Sequence, residues 1–266
     1  MTKPFLKWVG GKGRILDQLA PLVPEFEGTY HEPFLGGGAM FFNMPARSTV
    51  LSDANESLIN CYKQVRDKPG RVINVLSHHA GKHNEAHYYR VRDLFNQGHF
   101  DEWAVGAAAA FIYLNKSGFN GLYRENKKGE FNVPWGKRKT FDANVKGIVA
   151  ASISLKTAYI EASHYDNVIL RVEAGDFVYF DPPYDETFTG YRAGGFGKAD
   201  QLELSLAFAE LVDRGCHVML SNSDTPLIRE IYKDWDIRPI QARRSVSRSV
   251  AGRGVVGEVV VTGGPK

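Results

Sequence analysis

Asp181-Pro182-Pro183-Tyr184 puts a carboxylate, two prolyl carbonyls and an aromatic ring within four residues. Consecutive prolines fix φ and remove two amide donors, so the backbone is stiff and its carbonyls are free to accept. A carboxylate and a carbonyl aimed at one point can take both hydrogens of a planar amine, and the ring offers a face to a flat heterocycle. The preceding run, Phe177–Phe180, is aromatic and β-branched and follows a Gly175-Asp176 turn. It predicts a buried strand that the prolines must stop. Asp181 is then expected at a strand's carboxyl end, the edge at which open α/β sheets bind ligands. The plain alternative is a strand followed by an ordinary Asp-Pro turn.

A second group of reactive residues lies near the amino terminus. Lys7-Trp8-Val9-Gly10-Gly11-Lys12-Gly13 is a glycine turn framed by two lysines and a tryptophan, followed by a helical pattern through Ile15, Leu16, Leu19 and Leu22. It is not a nucleotide-triphosphate loop, because Leu6 replaces the first glycine and Gly13 the magnesium-binding Ser or Thr. The turn, a helix start and Lys12 suit a carboxylate instead.

Next, residues 30–42 read as a strand end, a glycine loop (Phe34-Leu35-Gly36-Gly37-Gly38) and a helix entrance. Gly36 and Gly38 permit positive φ and close ligand approach. The following strand, residues 48–52, ends at Asp53, where an acid can hold a ribose diol. A competing role is an Asp53/Glu56 capping box for the helix through Leu58, Ile59 and Tyr62. Glycines without phosphate machinery point to a nucleoside cofactor lacking a polyphosphate. S-adenosylmethionine fits, with Asp53 on the ribose, Lys12 on the carboxylate, and Trp8 and Phe34 walling adenine and sulfonium.

These groups need a sheet to position them and a reader to present substrate. From about residue 57 to 165 the pattern turns helical, including an alanine-rich helix over residues 102–114. Its histidines lack metal-site spacing and are expected at the surface or in the core. Residues 122–125 and 130–133 flank a polar turn ending at Gly129, the layout of a β-hairpin. Around it Lys116, Arg124, Lys127, Lys128, Lys137, Arg138 and Lys139 interleave with Phe119, Tyr123, Phe131 and Trp135, a mixture suited to phosphates and to base wedging.

Beyond the catalytic stretch, residues 185–197 are glycine-rich and suit a lid. A helix is expected over residues 202–211 and a strand over residues 217–221, with Ser221-Asn222-Ser223-Asp224 as a strand-end loop. Residues 237–242 and 258–262 should form an antiparallel pair, and the basic run of residues 243–249 suits phosphate contact.

The chain has 266 residues, 43% hydrophobic and 24% charged, which places it among globular chains with material for a core. A net charge of +3 leaves any nucleic-acid role to local patches. Cys61 and Cys216 stand alone, so neither a disulfide framework nor a zinc site is expected, and both read as buried thiols. The amino terminus lacks a signal-peptide core and the longest apolar run, residues 107–114, is too short for a bilayer. A cytoplasmic chain without membrane contact is expected.

Together, Lys7 to Lys12, the Phe34 to Gly38 loop, Asp53-Ala54-Asn55, residues 115–136 and Asp181-Pro182-Pro183-Tyr184 resemble the Dam family of DNA adenine methyltransferases. The resemblance implies an α/β, Rossmann-like methyltransferase sheet (residues 1–56 and 166–266) with an inserted, mostly helical recognition domain (57–165) carrying the hairpin. It also implies S-adenosylmethionine at Trp8, Lys12, Asp53 and Asp181, no metal, and a GATC-like site in double-stranded DNA. By the same resemblance Lys7, Phe119, Asn120, Leu122 and Arg124 fall on DNA-contacting positions, with Phe119 as a wedge and Arg124 as a guanine reader. A monomer is expected.

In the mechanism this suggests, a flipped adenine stacks on Tyr184 while Asp181 and the Pro182 carbonyl accept its amine hydrogens. Cytosine C5 chemistry needs a nucleophilic cysteine, usually after a proline, and neither cysteine follows one. Rival readings are an RNA or cytosine-N4 amine methyltransferase, whose substrates need similar acceptors, and an inactive DNA-binding relative.

Overall fold

Five short runs form the parallel part of a sheet: β1 (Tyr30–Glu32), β2 (Thr49–Asp53), β3 (Tyr159–Ala162), β4 (Phe177–Phe180) and β5 (His217–Ser223). Two longer ones, β6 (Asp236–Arg243) and β7 (Val255–Gly263), add an antiparallel hairpin through β5. The order across the sheet is β3-β2-β1-β4-β5-β7-β6. The computed structural model describes residues 2–44, 48–100, 103–185, 196–243 and 255–265.

Both faces of the central strands are covered, and the period of two along a strand divides them. Phe177, Tyr179, Met219 and Val260 join one core, while Val178, Phe180, Val218, Leu220, Val259 and Val261 join another. That explains why β4 reads as a continuous apolar run and is buried at all four positions. The chain builds outward from β1 to β2 and β3, then returns to β4 beside β1 and builds the other way. The carboxyl ends of β1 and β4 therefore bound the switch point, where a crevice must open.

The helices are α1 (Leu16–Leu19), α2 (Glu56–Asp67), α3 (Pro69–Gly81), α4 (Glu85–Gln97), α5 (Trp103–Ser117), α6 (Val145–Leu155), α7 (Tyr165–Ile169), α8 (Lys198–Asp213) and α9 (Pro226–Ile231). Five of them, α2 to α6, lie between β2 and β3. Helix α5 has no polar face over residues 107–114, and these are all buried. It joins Phe5, Tyr30 and Tyr62 of the sheet side to Phe131 and Val133 of the expected hairpin in one continuous core. Cys61 and Cys216 are free and buried.

Several expectations need correction. The helix through Ile15 to Leu22 is broken into a 3-10 turn (Lys12–Arg14), the single turn α1 and another 3-10 turn (Ala20–Leu22) that contains Pro21. The expected hairpin has its turn, with Asn126 N–H donating to Glu130 O, but only an isolated bridge, Glu125 to Phe131, in place of paired strands. Strand β3 lies inside the stretch expected for the inserted domain, yet pairs with β2 in the main sheet. Residues 221–223 continue β5 instead of looping. Residues 186–195 of the lid suggested over 185–197, residues 244–249 of the basic run and Glu102 lie outside the described residues.

Candidate active site

Asp181 leaves β4 at the switch point with its side chain 20% exposed, and the Lys12 ammonium meets its Oδ1 at 2.6 Å. The Lys12 side chain is only 4% exposed; its Nζ also donates to the Gly10 carbonyl at 2.7 Å and lies 4.6 Å from the centre of the Tyr184 ring. The Tyr184 hydroxyl donates to Glu258 Oε2 at 3.0 Å. Burial raises the Asp181 carboxyl above the ordinary range, the Lys12 ammonium opposes that rise, and the Glu258 charge adds to it. Lys12 was expected at a helix start facing a cofactor carboxylate. It sits within a single 3-10 turn, and its ammonium pairs with the Asp181 carboxylate.

The loop carrying this stretch is held by buried amides. Gln201, fully buried on α8, donates through Nε2 to the Pro183 carbonyl at 2.9 Å, and its Oε1 accepts from Asn222 Nδ2 at 3.0 Å. Asn222 Oδ1 accepts from Asp185 N at 3.0 Å, while Ser223 Oγ and Thr225 Oγ1 donate to the Asp185 carbonyl and carboxylate. Pro182 is buried and Pro183 exposed. Glu258 and Gln201 were not singled out in the sequence: Glu258 heads an apolar run, Gln201 stands among the polar residues that open α8, and nothing local marks the partner of either. Asn222 was flagged only as part of a strand end.

Asp53 ends β2, where its two carboxylate oxygens accept from Gly36 N at 3.0 Å and Asn55 N at 2.9 Å. The capping-box alternative is overturned, because the cap of α2 is Asn55, whose Oδ1 accepts from Leu58 N at 3.0 Å. Asp53 instead ties the glycine loop to the strand edge. Gly36 and Gly38 take positive φ, +46° and +67°, and a Cβ on Gly36 would meet Trp8 Cδ1 at 2.6 Å. The loop therefore lies directly on Trp8, whose ring stacks on Tyr123 at 5.6 Å. Phe34 is half-buried and stacks on Tyr165 at 5.4 Å.

Glu32, at the carboxyl end of β1, is a further buried acid of the crevice. Its Oε2 accepts from the Tyr30 hydroxyl at 2.8 Å and from Phe41 N at 2.9 Å. Burial pushes its carboxyl up to about 8, with Asp181 adding to the rise and Tyr30, Phe41 and Lys12 opposing it. A raised folded value means that stability present below the unfolded value of 4.5 is lost as pH rises through about 8. Glu32→Gln should flatten that loss by a few kcal/mol while keeping an acceptor. Thermal melts of both proteins from the acid to the alkaline side of this window test it, and parallel curves would refute it.

Of the expected DNA-contacting residues, Lys7 and the Phe119–Gly121 turn are drawn together at the end of α5. Asn115 accepts from Lys7 N at 2.9 Å, donates to Lys7 O at 2.7 Å and to Gly121 O at 3.2 Å. The Lys7 stem lies across Gly121, where a Cβ would collide with its Cδ, next to Asn120 in the left-handed region (φ 55°). Phe119 is 51% exposed, whereas Leu122 is half-buried against the core. Arg124 donates from Nε to Asn132 Oδ1 at 2.7 Å. Lys127, Lys128 and Lys139 are exposed. His79, His83 and His87 cluster around Tyr113, and His83 Nε2 lies 3.2 Å from the Arg138 carbonyl.

Among the described residues no group of three or more His, Cys, Asp or Glu is placed to hold a metal, and no helix is long and apolar enough to cross a membrane. The type II methyltransferase M1.LlaDCHI of Lactococcus lactis is 38% identical over 98% of this chain and 95% of its own length. The type II methyltransferase M.MjaIII of Methanocaldococcus jannaschii is 39% identical over 92% of this chain and 93% of its own. A DNA adenine methylase of Vibrio cholerae is 34% identical over 97% and 95%. The family model of D12 class N6 adenine-specific DNA methyltransferases matches residues 8–246, which include the Lys12, Asp53 and Asp181 sites. With a Rossmann-like sheet, an acceptor and an aromatic face at its switch point, the chain belongs to the D12 class of N6 adenine-specific DNA methyltransferases.

Proposed function

We propose that this adenine-specific DNA methyltransferase flips its target adenine from a GATC site and methylates N6 in the crevice between Asp181 and Tyr184. The observation that carries the reading is the position of the Lys12 ammonium: an N–H donor held between the Asp181 carboxylate and the Tyr184 ring. That is the seat an exocyclic amine needs. An adenine paired in a duplex hides this amine, so the base must leave the stack. Lys12 must withdraw as the base arrives. Asp181 and the Pro182 carbonyl then accept the two N–H groups, Tyr184 stacks on the ring, and the nitrogen lone pair is aimed for in-line attack.

S-adenosylmethionine supplies an electrophilic methyl carbon on a sulfonium. The chemistry of the crevice fits it: Asp53 at the end of β2 for ribose hydroxyls, Phe34 and Trp8 for apolar and cationic surface, and a glycine loop whose positive φ at Gly36 and Gly38 brings backbone close. Asp53→Ala should weaken cofactor binding about tenfold, because a charged acceptor is lost. It should also loosen the loop, since Gly36 N and Asn55 N lose their acceptor. Calorimetry checks it, and an unchanged affinity with a lowered melting temperature would leave Asp53 only the loop-tying role.

Residues 57–158, with Lys7, read DNA, and the sheet with its remaining helices catalyses. In this reading Phe119 wedges, Arg124 reads guanine, Asn120 and Leu122 line the DNA, and Lys127, Lys128 and Lys139 meet phosphates. One chain carries both parts, so a monomer acting on cytoplasmic DNA is the working unit. The test is transfer of labelled methyl to duplexes holding GATC or each single-base variant, and to the matching RNA, followed by identification of the modified base. N6-methyladenine confined to GATC is expected. Equal labelling of the variants would overturn the site, and labelled RNA the substrate.

A further inference from the structure

A stacking face is useful only if its plane is held, and Tyr184 lies in a loop after two prolines. The buried amides hold its neighbours: Gln201 fixes the Pro183 carbonyl, and Asn222 fixes Asp185 N. Those bonds locate the backbone of Tyr184 but leave rotation of the ring about its side-chain torsions, which for an aromatic are broad. The far end of the ring meets Glu258 Oε2 at 3.0 Å.

Glu258 is an unusual residue for its place. It lies on β7 opposite Ser223 of β5 and Ile240 of β6, followed by Val259, Val260 and Val261, all fully buried. A half-buried glutamate is poorly suited to an inner strand on propensity and desolvation grounds. Its carboxylate is turned to the catalytic edge, 74 residues along the chain from the tyrosine it meets.

We propose that Glu258 is a positioning residue for methyl transfer: by accepting from the Tyr184 hydroxyl it sets the plane on which the target base stacks beside Asp181. This rests on the proposed role of Tyr184 as the stacking face. Glu258 touches neither the amine nor the methyl group, and acts through the ring. Its charge also bears on Asp181, whose carboxyl it helps to raise.

The test compares Glu258→Ala, Glu258→Gln, Tyr184→Phe and the double variant Tyr184→Phe/Glu258→Ala. Single-turnover methylation at saturating DNA and S-adenosylmethionine is read beside the dissociation constants for both. Glu258→Ala should slow the single-turnover rate about tenfold, the worth of one hydrogen bond to a charged group, with both dissociation constants within about twofold of the unaltered protein. Glu258→Gln, which keeps an acceptor, should recover most of the rate. The double variant should be no slower than the slower single, because both remove the same bond.

2-Aminopurine at the target position should change its emission in Glu258→Ala, as stacking is altered. Multiplicative losses in the double variant, a Glu258→Gln rate as low as that of Glu258→Ala, or an unchanged Glu258→Ala rate would each overturn the proposal. Should Glu258→Ala fail to fold, the near-tenfold loss must appear in Tyr184→Phe, whose packing is intact, and its absence would equally overturn it. A protein that never methylates adenine in DNA defeats the functional reading itself, whereas normal methylation by these variants defeats only the role of Glu258.

Discussion

Asp181→Ala should slow methyl transfer about a hundred- to a thousandfold, the cost of removing one oriented group from the reacting centre. The geometry adds a consequence for stability. Lys12 is 4% exposed and pairs with Asp181 at 2.6 Å, so the same substitution leaves a buried ammonium without its carboxylate, at a cost of about 3–5 kcal/mol. Lost activity alone would therefore not distinguish a missing acceptor from a damaged fold. Lys12→Met/Asp181→Ala removes both charges, and should regain most of the melting temperature while regaining none of the rate.

Lys12→Met alone probes the same pair through pH. Burial raises the Asp181 carboxyl and Lys12 holds it down. The carboxylate is the accepting form, so the rate falls as pH drops through that value. Without the ammonium the carboxyl rises further, and the acid limb of the kcat/KM profile, which reports the free protein in which the pair is formed, should move to higher pH. A limb that stays in place, or a double variant that recovers activity with stability, would remove Asp181 from the reaction.

Arg124→Ala should cost about 1 to 3 kcal/mol at the cognate site, a loss of roughly 5- to 160-fold, and nearly all of it should fall on one base pair. The guanidinium is pre-set: Nε donates to Asn132 Oδ1 at 2.7 Å and Nη2 donates to the Asn132 carbonyl at 3.3 Å, in a turn whose far arm is anchored by Asn96 on the Phe131 backbone. A planar fork fixed along one edge can present its remaining donors to guanine O6 and N7 with little loss of rotamer entropy. Lys127 and Lys128 are exposed in the turn, and a flexible point charge there suits phosphate. Lys127→Ala and Lys128→Ala should weaken cognate and non-cognate DNA alike and lower the salt dependence. Methylation rates on the preferred duplex and each single-base variant at two salt concentrations separate the two behaviours. Uniform loss for Arg124→Ala would move it among the phosphate contacts.

Much of the reactive edge was legible in the residues themselves. Phe177–Phe180 announces a strand covered on both faces, two prolines must end it, and Asp181 follows at its carboxyl end. Asp53 ends β2 just before Asn55, a residue suited to cap the helix that follows, and the antiparallel pair β6 and β7 is visible as two apolar runs close to the carboxyl end. These are properties of short range, set by backbone sterics and side-chain period. Tertiary structure decided the rest. Locally Asp53 suited either a ribose contact or a capping box; the cap fell to Asn55, and the Asp53 carboxylate accepts from Gly36 N in a loop that the sequence did not tie to it.

The turn of residues 126–129 formed without a strand ladder, because the core beneath α5 takes Phe131 and Val133 and needs no paired edge. Lys12 reached Asp181, and Glu258 reached Tyr184, only because β1, β4, β5 and β7 lie side by side in an order the chain does not follow. Local sequence carries the period and chemistry of each element. Which charges and rings finally meet depends on how the sheet orders distant strands, since a carboxylate is paired or stranded by what lies within a few ångströms of it, regardless of its place in the chain.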